Sequence, residues 1–398
     1  MPDPMQFASA ITTEQDVDSA AAALTDEIHA QVDLPELDFA MSFFSADFAA
    51  VAASGADRLN TTLNPRVLIG CTSEGVIGKT EEIENRPAIA LVAARLPGLN
   101  LVPFALDSDD WEALEDAARF RTLIGAPPDT RLVVMLADPF STPVDQVLEA
   151  FNTFYAGVPV IGGMASGAQQ PGGNALLLND RAYSSGAVGV ALAGDFESDI
   201  IVSQGCRPFG RTFTVTETQG NVIVSLEGEP PLKHLQNLVA QLSEEDQALL
   251  RNGLFVGRAI ETGRGDLGRG DFLIRSLLGV DRQSGAIGVG DSIHEGETIQ
   301  FHLRDQRTAE EDLEMLLTPQ ALDAPPSGAL LFSCNGRGTR LYDHPNGDIS
   351  TIQNVLGGVN LAGFFAAGEI GPVGGKNFLH GHTASMALFR PRSTYSGH

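Results

Sequence analysis

Apolar and polar positions along the chain predict three copies of one supersecondary unit: a strand, a helix, a second strand, a loop and a closing strand. The first copy begins with an apolar strand at 39–44, continues with an alanine-rich helix at 46–61, and returns as a strand that reaches Gly70. The same order recurs from residue 131 and from residue 329. Such internal repetition indicates a fold built by stacking one unit on the next. The other elements predicted in the three copies are strands at 88–96, 131–137, 158–161, 186–193, 329–332, 359–362 and 384–389, a helix at 144–155 and a crossover at 349–355.

The second strand of each copy runs into one glycine frame, Gly-x4-Gly, at 70–75, 162–167 and 363–368. For any single copy, a sharp reversal of the chain is favoured over a ligand-binding loop. The polar residues differ between copies, because the first frame contains Ser73 and Glu74 whereas the last is followed by Glu369. Unequal polar residues on a repeated frame are what a site at a pseudo-symmetric junction would show.

A glycine-rich segment with one carboxylate, Glu369, follows the third frame. Its glycines and proline predict a loop that turns tightly or approaches a ligand closely, with backbone N–H groups and one acid available for binding. The strand predicted after this loop places His380 and His382 on one face. The other residues that define the loop are Gly368, Gly371, Pro372, Gly374 and Gly375.

Between the second and third copies, strands at regular spacing predict a mainly antiparallel sheet. An amphipathic helix at 13–32 precedes the first copy. We therefore expect a mixed α/β fold of two related halves, with mixed sheets and helices packed outside them. The elements predicted in the intervening tract are strands at 213–217, 221–226, 254–260, 272–280, 286–289 and 298–304 and helices at 232–242 and 309–317.

The charge of the chain limits its partners. Its 398 residues include 25 basic and 51 acidic side chains, which gives a net charge of −26 at neutral pH. A field of this sign repels nucleic acid and anionic bilayers on average, so we expect neither as a partner. An acidic excess that only keeps the protein in solution is the simpler interpretation of the charge itself.

The cysteines and the N-terminal residues indicate the compartment. Cys71, Cys206 and Cys334 are too few and too scattered for a disulfide framework or a CxxC metal site. The residues after Met1 lack the basic and apolar regions of a secretory signal. The apolar stretches are far shorter than the roughly 20 residues that span a bilayer. We expect a soluble, cytoplasmic protein.

The segment 332–338 is the second place where the sequence suggests chemistry. A strand delivers Cys334 to its end, and Asn335, Gly336 and Arg337 then turn the chain sharply. A cysteine beside an arginine resembles an activated thiol, although on residue type alone an inert buried cysteine is favoured. Arg337 suits either a buried acid such as Glu369 or the carboxylate of a ligand.

Three further patterns give weaker evidence for a functional site. His380 and His382 are spaced as an i, i+2 metal pair, but zinc needs at least a third protein ligand, so hydrogen-bonded histidines are favoured and we expect no metal site. His344 is interpreted as a loop residue, although one histidine suffices to ligate haem. The GxGxxG at 263–268 precedes a strand and not a helix, so it does not predict a dinucleotide site.

The residues quoted above carry a family resemblance. The runs SCNGRGTRLYD at 333–343 and GFFAAGEIGPVGGKNFLHGHTASMALF at 363–389 resemble the C-terminal half of the FIST family, and the segments 38–75, 175–178 and 189–192 resemble its N-terminal half. The resemblance implies a FIST N domain at 38–228 and a FIST C domain at 229–390, with an N-terminal helix within 1–37 and a tail at 391–398.

The resemblance also implies a function. FIST proteins are small-ligand-binding sensory modules, in bacteria often coupled to signalling outputs, with amino acids as the proposed ligands. Eukaryotic relatives use both halves in an F-box ubiquitin-ligase receptor, where the cysteine matched by Cys334 takes part in recognition, and some bacterial relatives sense nitric oxide through haem. Since no kinase, cyclase or F-box region is appended here, we expect the signal to pass through a separate partner.

The leading hypothesis is a sensor without catalytic residues that binds an amino acid or similar small zwitterion in a pocket between the two halves. Arg337 would bind the carboxylate and Glu369 the ammonium group. The first alternative is a haem-dependent nitric oxide sensor, and haem is the one cofactor considered. The second is an enzyme that uses Cys334 as nucleophile, with His380 or His382 as base. The predicted ligand-binding residues are Ser73, Glu74, Cys334, Asn335, Gly336, Arg337, Glu369, Gly371, Gly374 and His380.

Overall fold

The structure, a computed structural model, describes residues 5–32, 37–261, 267–268 and 270–392. The chain forms two compact units, a larger one of Met1–Val202, Leu313–Leu379 and Thr383–His398 and a smaller one of Ser203–Asp312 and His380–His382. Most of the GxGxxG segment and the end of the predicted tail lie outside the described residues. Among the described residues, no helix is both long and apolar enough to cross a bilayer.

The first two copies of the repeat lie in the larger unit. Their elements are β1 (Gln6–Thr12), α1 (Val17–Gln31), β2 (Phe39–Ser45), α2 (Ala52–Leu63), β3 (Val67–Ser73), β4 (Gly75–Ile77), β5 (Glu82–Glu84), β6 (Ile89–Arg95), β7 (Asn100–Leu106), α3 (Ala117–Ile124), β8 (Thr130–Ala137), α4 (Val144–Phe154), β9 (Val160–Met164), β10 (Leu176–Leu178), β11 (Arg181–Tyr183) and β12 (Ala187–Ala193).

The chain then forms the smaller unit before it completes the third copy. The elements in between are β13 (Phe196–Gln204), β14 (Cys206–Gln219), β15 (Val222–Leu226), α5 (Pro231–Val239), α6 (Glu244–Leu249), β16 (Leu254–Ala259), β17 (Phe272–Val280), β18 (Ile287–Val289), β19 (Thr298–Arg304) and α7 (Gln306–Leu317). The third copy contains β20 (Gly328–Cys334), α8 (Gly347–Leu356), β21 (Leu361–Ala366), β22 (Glu369–Val373), β23 (Lys376–His380) and β24 (Thr383–Pro391).

The three predicted repeats are present and equivalent in register. Each has a parallel pair joined by one helix, which is β2 with β3, β8 with β9, and β20 with β21. Each first strand is also paired antiparallel to the closing strand of its copy, β6, β12 or β24. The first glycine of each frame lies opposite the same position of the preceding strand, and these pairs are Ser42 with Gly70, Met135 with Gly162, and Leu331 with Gly363.

These glycines are required because the two strands approach closely. A Cβ at Gly363 would lie 1.7 Å from the carbonyl oxygen of Leu331, and one at Gly162 would lie 1.7 Å from that of Met135. Neither position admits a side chain unless the strands separate. The glycine frame therefore begins inside a strand, where the sequence predicted a reversal or a binding loop.

Each sheet is completed by a hairpin that comes from another copy. The hairpin β10–β11 of the second copy joins β3, the hairpin β22–β23 of the third joins β9, and the hairpin β4–β5 of the first joins β21. The result is three six-stranded sheets, β1-β6-β2-β3-β10-β11, β7-β12-β8-β9-β22-β23 and β13-β24-β20-β21-β4-β5. The three copies therefore depend on one another in a cycle.

The core of the larger unit lies where the three sheets meet. One cluster of buried residues contains Phe43 of the first copy, Ile161 of the second, and Phe332 and Phe364 of the third. The rings of Phe43 and Phe364 stack with centroids 5.1 Å apart. The opposite face of each sheet packs against its own helices, α1 and α2, α3 and α4, or α7 and α8. The predicted α/β class, with mixed sheets and helices outside, is confirmed.

The smaller unit is a closed barrel of the strand order β14-β15-β18-β17-β16-β19, in which neighbouring strands are antiparallel. Its interior contains Phe213, Val256, Ile299 and Phe301. The predicted antiparallel sheet is thus present and closes on itself, which leaves it no free edge.

Two local predictions around Glu369 were wrong. The glycine-rich segment after the third frame is the hairpin β22–β23, with its turn at Gly374 and Gly375, and not an irregular loop. The strand expected to carry both histidines is interrupted by a turn, in which His382 has a φ of +64°. The strand β22 pairs with β9 only at Glu369 and Ile370, so Gly371 and Pro372 lie beyond that pairing, where a strand tolerates both residues.

Candidate functional site

The turn after β20 is held by backbone hydrogen bonds around Cys334. The Asn335 N–H donates to the Ala366 carbonyl at 2.8 Å, and the Arg337 N–H donates to the Cys334 carbonyl at 2.7 Å. The Cys334 side chain is buried, and its sulfur accepts the Gly336 N–H at 3.4 Å. The sequence prediction of a sharp turn that presents Cys334 at a strand end is confirmed in this geometry.

Arg337 is fully buried, and Asp348 of α8 pairs with its Nε and Nη2, whereas Nη1 has no hydrogen-bond partner within the described part of the chain. Nε lies 2.9 Å from Asp348 Oδ2, and Nη2 lies 2.6 Å from Oδ1 and 2.7 Å from the Tyr342 hydroxyl. The Ser333 hydroxyl donates to Asp348 Oδ2 at 2.6 Å. Burial would raise the pKa of Asp348, but the charge of Arg337 and these hydrogen bonds hold it below its ordinary value. The buried acid that pairs with Arg337 is Asp348, and not Glu369 as expected.

Glu369 is the first residue of β22 and is also fully buried. Its Oε2 accepts the Thr383 N–H at 3.0 Å and the Thr383 hydroxyl at 2.8 Å, whereas within the described part of the chain Oε1 has no hydrogen-bond partner. Burial raises the pKa of Glu369 to about 8, although the Thr383 hydrogen bonds, the Cys334 thiol and the Arg337 charge favour ionisation. The carboxyl is therefore largely neutral at pH 7.

A more exposed group of polar side chains lies on the same turn. Arg340 forms an ion pair with Oε1 of Glu74, and the Asn335 side-chain amide donates to Glu74 Oε2 at 3.1 Å. A second Arg340 nitrogen donates to the Asn335 carbonyl at 2.7 Å. The side chain of Arg340 is 51% exposed and that of Glu74 is 28% exposed, so this cluster is open to solvent. We call Glu74, Asn335 and Arg340 the polar triad.

Residues of both predicted halves therefore meet at this turn, as expected, but in other pairs. Glu74 comes from the first glycine frame and Asn335 and Arg340 from the third copy. Sequence reasoning missed Arg340. The signal was its position three residues after Arg337, on a turn that the sequence already placed near Glu74.

Three other predicted ligand-binding residues, Ser73, Gly371 and His380, are buried, and Gly374 occupies a turn. Ser73 is buried and donates to the Gly75 carbonyl at 3.0 Å. A Cβ at Gly371 would lie 2.6 Å from the Ser385 hydroxyl, and Gly374 occupies the turn of β22–β23 with a φ of +58°. His380 is buried and belongs to the smaller unit.

The hairpin β4–β5 caps the helix that supplies Asp348. Asn346, which precedes α8 with a φ of +64°, accepts the backbone N–H of Glu82 at 2.8 Å, and Glu82 Oε1 accepts the N–H of Ile349 at 2.8 Å. Glu82 therefore accepts an N–H of the first turn of α8 in place of an N-cap side chain, while the N-cap residue Asn346 holds the backbone of Glu82. Burial, together with the charge of Asp348, raises the pKa of Glu82 to about 8.

The described residues contain no group of three or more His, Cys, Asp or Glu that could hold a metal ion. His344, the residue considered for haem, is an exposed loop residue whose Nδ1 lies 3.0 Å from the Pro345 carbonyl. The haem hypothesis stays a prediction.

Comparison with known proteins gives matches over nearly the whole chain. The family model of the FIST N domain matches residues 38–229, and that of the FIST C domain matches residues 231–372. The uncharacterized protein Rv0628c of Mycobacterium tuberculosis is 40% identical over 392 residues, 97% of this chain and 100% of that protein. The uncharacterized protein Mb0898c of Mycobacterium bovis is 41% identical over 342 residues, 84% of this chain and 86% of that protein.

Among solved structures, a cyanuric acid hydrolase from A. caulinodans aligns over 98% of this chain and 100% of its own, with 10% identity and a TM-score of 0.36. A similarity at that level does not establish a common fold.

Proposed function

The chain belongs to the FIST family, whose domains are small-ligand-binding sensory domains in signal transduction, and from this premise we propose that it binds an amino acid or a similar small zwitterion at the polar triad. The observation that carries the proposal is the exposed ion pair of Arg340 with Glu74 beside Asn335. A zwitterion can separate these two side chains and pair with both, its carboxylate with Arg340 and its ammonium group with Glu74.

The energies favour Arg340 over Arg337 as the group that takes the ligand carboxylate. An exposed ion pair such as Arg340 with Glu74 contributes about 0–1 kcal/mol, so a ligand replaces it at little cost. Removing Arg337 from Asp348 would leave a buried charge without its partner, at a cost of about 3–5 kcal/mol. In this proposal Arg337 positions the turn, and Arg340 binds the ligand.

The buried residues next to the triad complete the proposed site. Cys334 and Gly336 lie on the same turn as Asn335, and Glu369 contributes a neutral carboxyl whose Oε1 is available for a ligand hydrogen bond. A neutral acid suits an uncharged polar group of the ligand better than its ammonium group. The three cysteines are buried and form no disulfide with one another, which fits a reducing compartment, so we place this sensor in the cytoplasm with a separate protein as its signalling partner.

Calorimetry with a panel of the common amino acids tests the proposal. We expect one class to bind, and Arg340→Met to weaken that binding about tenfold or more because a charge-assisted pair is lost. Arg58→Met removes another exposed arginine, which pairs with Asp18, and should leave the affinity unchanged.

The proposal would be overturned if no amino acid in the panel gave a heat of binding. It would also be overturned if the Arg340→Met protein bound as tightly as the wild type. Arg337→Met serves as the structural comparison, and we expect it to lower the free energy of unfolding by about 3–5 kcal/mol, whereas Arg340→Met changes it by less than about 1 kcal/mol.

A further inference from the structure

A groove on the second copy of the repeat lies outside the proposed ligand site and shares no residue with it. It runs between α4 and a 3₁₀ segment at Ser108–Glu115, and it encloses a cavity of about 410 Å³. Its apolar lining consists of Trp111, Leu114, Ala150 and Phe154. The indole of Trp111 and the ring of Phe154 are only half-buried. A groove with aromatic rings of this kind suits the apolar face of a helix.

The rim of the groove is acidic. Glu115 lies on the side of the 3₁₀ segment, Asp145 and Glu149 lie on α4, and all three are exposed. No basic residue lines this cavity. Among the described residues, neither Glu115 nor Glu149 forms an ion pair with a basic side chain. Within that part of the chain, the carboxylates of Glu115 and Glu149 are therefore not neutralised by an ion pair.

The sequence around Trp111 is also strongly acidic. Six of the ten residues at 107–116 are acidic and none is basic. Asp107 and Asp110 are used in the capping box of the 3₁₀ segment, and Asp116 caps α3, so local folding accounts for these three. Within the described part of the chain, the side chains of the other three, Asp109, Glu112 and Glu115, accept no such capping hydrogen bond. The same segment also borders a second cavity of about 350 Å³, whose lining includes Asp110, Leu123 and the basic residue Arg119.

We propose that this groove binds an amphipathic helical segment of a partner protein, with basic side chains that face the acidic rim and apolar side chains that contact Trp111 and Phe154. The apolar lining supplies the buried area, and the carboxylates of Glu115, Asp145 and Glu149 select a basic partner and steer its approach. A sensor that signals through a separate protein needs such a surface. The groove can bind a partner whether or not the polar triad binds an amino acid.

Trp111 is the only tryptophan in the chain, so its fluorescence reports on the groove directly. The probe is a synthetic amphipathic helix of leucine and lysine, about 14 residues long, at about 0.15 M salt. Its counterpart has glutamate in place of lysine. We expect the lysine peptide to shift the Trp111 emission to shorter wavelength, because contact with apolar side chains removes water from the indole, and the glutamate peptide to have no effect.

A matched pair of double variants separates the groove from the charge of the whole protein. Glu115→Lys with Glu149→Lys should weaken binding of the lysine peptide about tenfold. Asp26→Lys with Asp57→Lys makes the same change in net charge at exposed positions of α1 and α2, and should change the affinity less than about twofold. Thermal unfolding and circular dichroism of both proteins confirm that they fold.

Three results would overturn the proposal. The first is an equal loss of affinity in the two double variants, which would mean nonspecific attraction to an acidic protein. The second is binding of the glutamate peptide as tight as that of the lysine peptide. The third is an equal shift of Trp111 emission by the small cation spermine at the same concentration, which would assign the groove to a small cation. Failure of the amino-acid panel leaves each of these results unchanged, so the two proposals fail separately.

Discussion

The residues around Cys334 show how local surroundings set the charge of two buried acids. Asp348 and Glu369 are both fully buried. Asp348 receives two nitrogens of the charged Arg337 and remains ionised, whereas Glu369 receives uncharged donors, the N–H and hydroxyl of Thr383 and the Cys334 thiol. Because the hydrogen bonds to Glu369 do not offset its burial, the proton stays on that carboxyl at neutral pH.

Replacement of Glu369 by Gln should change how stability depends on pH. In the folded protein the pKa of Glu369 is about 8, against 4.5 for the ordinary group. Between these values the folded state holds a proton that the unfolded state has lost, so the free energy of unfolding falls as pH rises, by up to about 1.4 kcal/mol per pH unit. Glu369→Gln is neutral at every pH, so its stability should decline less steeply between about pH 5 and 8.

Urea unfolding at several pH values measures this slope. The variant profile should be shallower but not flat, because Glu82 has a raised pKa in the same window. Glu112→Gln, at an exposed position, is the control and should reproduce the wild-type slope. Identical slopes in the wild type and Glu369→Gln would show that Glu369 is already ionised at neutral pH.

At the scale of residues, the sequence correctly predicted the turn after Cys334, but it assigned the wrong partner to Arg337 and overlooked Arg340. Cys334, Asn335 and Glu74 stand at strand ends, and strand ends can be placed from apolar patterns, so their proximity was predictable. The partner of Arg337 was not, because Asp348 reaches it only through the orientation of α8. Arg340 was overlooked for a similar reason, since the 3₁₀ turn that brings it to Glu74 leaves no periodic pattern in the sequence.

Among the elements, the hairpin β4–β5 has the largest influence on the candidate site. It pairs with β21, and Glu82 within it caps α8 by exchanging hydrogen bonds with Asn346 and Ile349. The helix so capped carries Asp348, which holds Arg337. A short hairpin of the first copy thus determines the position of the turn in the third.

Two substitutions at Asn346 separate the parts of this cap. Asn346→Gly keeps the left-handed backbone but removes the acceptor for the Glu82 N–H, and should lower the free energy of unfolding by about 1 kcal/mol. Asn346→Ala also forces an alanine to a φ of +64°, which should cost about 1 kcal/mol more.

Urea unfolding measures the free energy of unfolding of both variants. We expect the wild type to be the most stable, the Asn346→Gly protein less stable, and the Asn346→Ala protein the least stable. An Ala variant as stable as the Gly variant would mean that the backbone before α8 rearranges freely, and the capping interpretation would then be wrong.

The parallel pairs, their connecting helices and the closing strands of the three copies were predictable because apolar blocks of different period alternate there. The hairpins β4–β5 and β10–β11, the strand β7 and the helix α3 were not predicted. The strands β1 and β13 were missed, since each lies at the edge of a sheet and outside the repeated order. The glycine frame was noticed for its spacing, but its cause is the approach of Gly363 to the Leu331 carbonyl, which needs the register of two strands. Spacing alone does not distinguish that approach from a turn.

For the whole molecule, the exchange of hairpins makes the copies inseparable. A division between residues 204 and 205 leaves the barrel of the smaller unit whole but removes β22–β23 from the second sheet and β4–β5 from the third. We expect fragments 1–204 and 205–398 not to fold when each is produced alone, because each would have unpaired strand edges beside apolar faces. When the two are produced together, we expect them to associate and fold.

Size-exclusion chromatography and circular dichroism check this expectation. The fragments together should give a one-to-one complex that unfolds cooperatively, whereas fragment 1–204 alone should aggregate. Cooperative unfolding of an isolated, monomeric fragment 1–204 would contradict a cyclic dependence.

The exchange also has a consequence for synthesis on the ribosome. The strand β9 ends at Met164, but the hairpin that covers its edge is complete only at His380, about 200 residues later. At about 5–20 residues per second, the nascent chain carries that uncovered edge for roughly 10–40 s before its partner has been translated. Throughout that interval the edge of β9 is open to pairing with strands of other chains, so the order of translation makes synthesis the stage at which this fold is most exposed to aggregation.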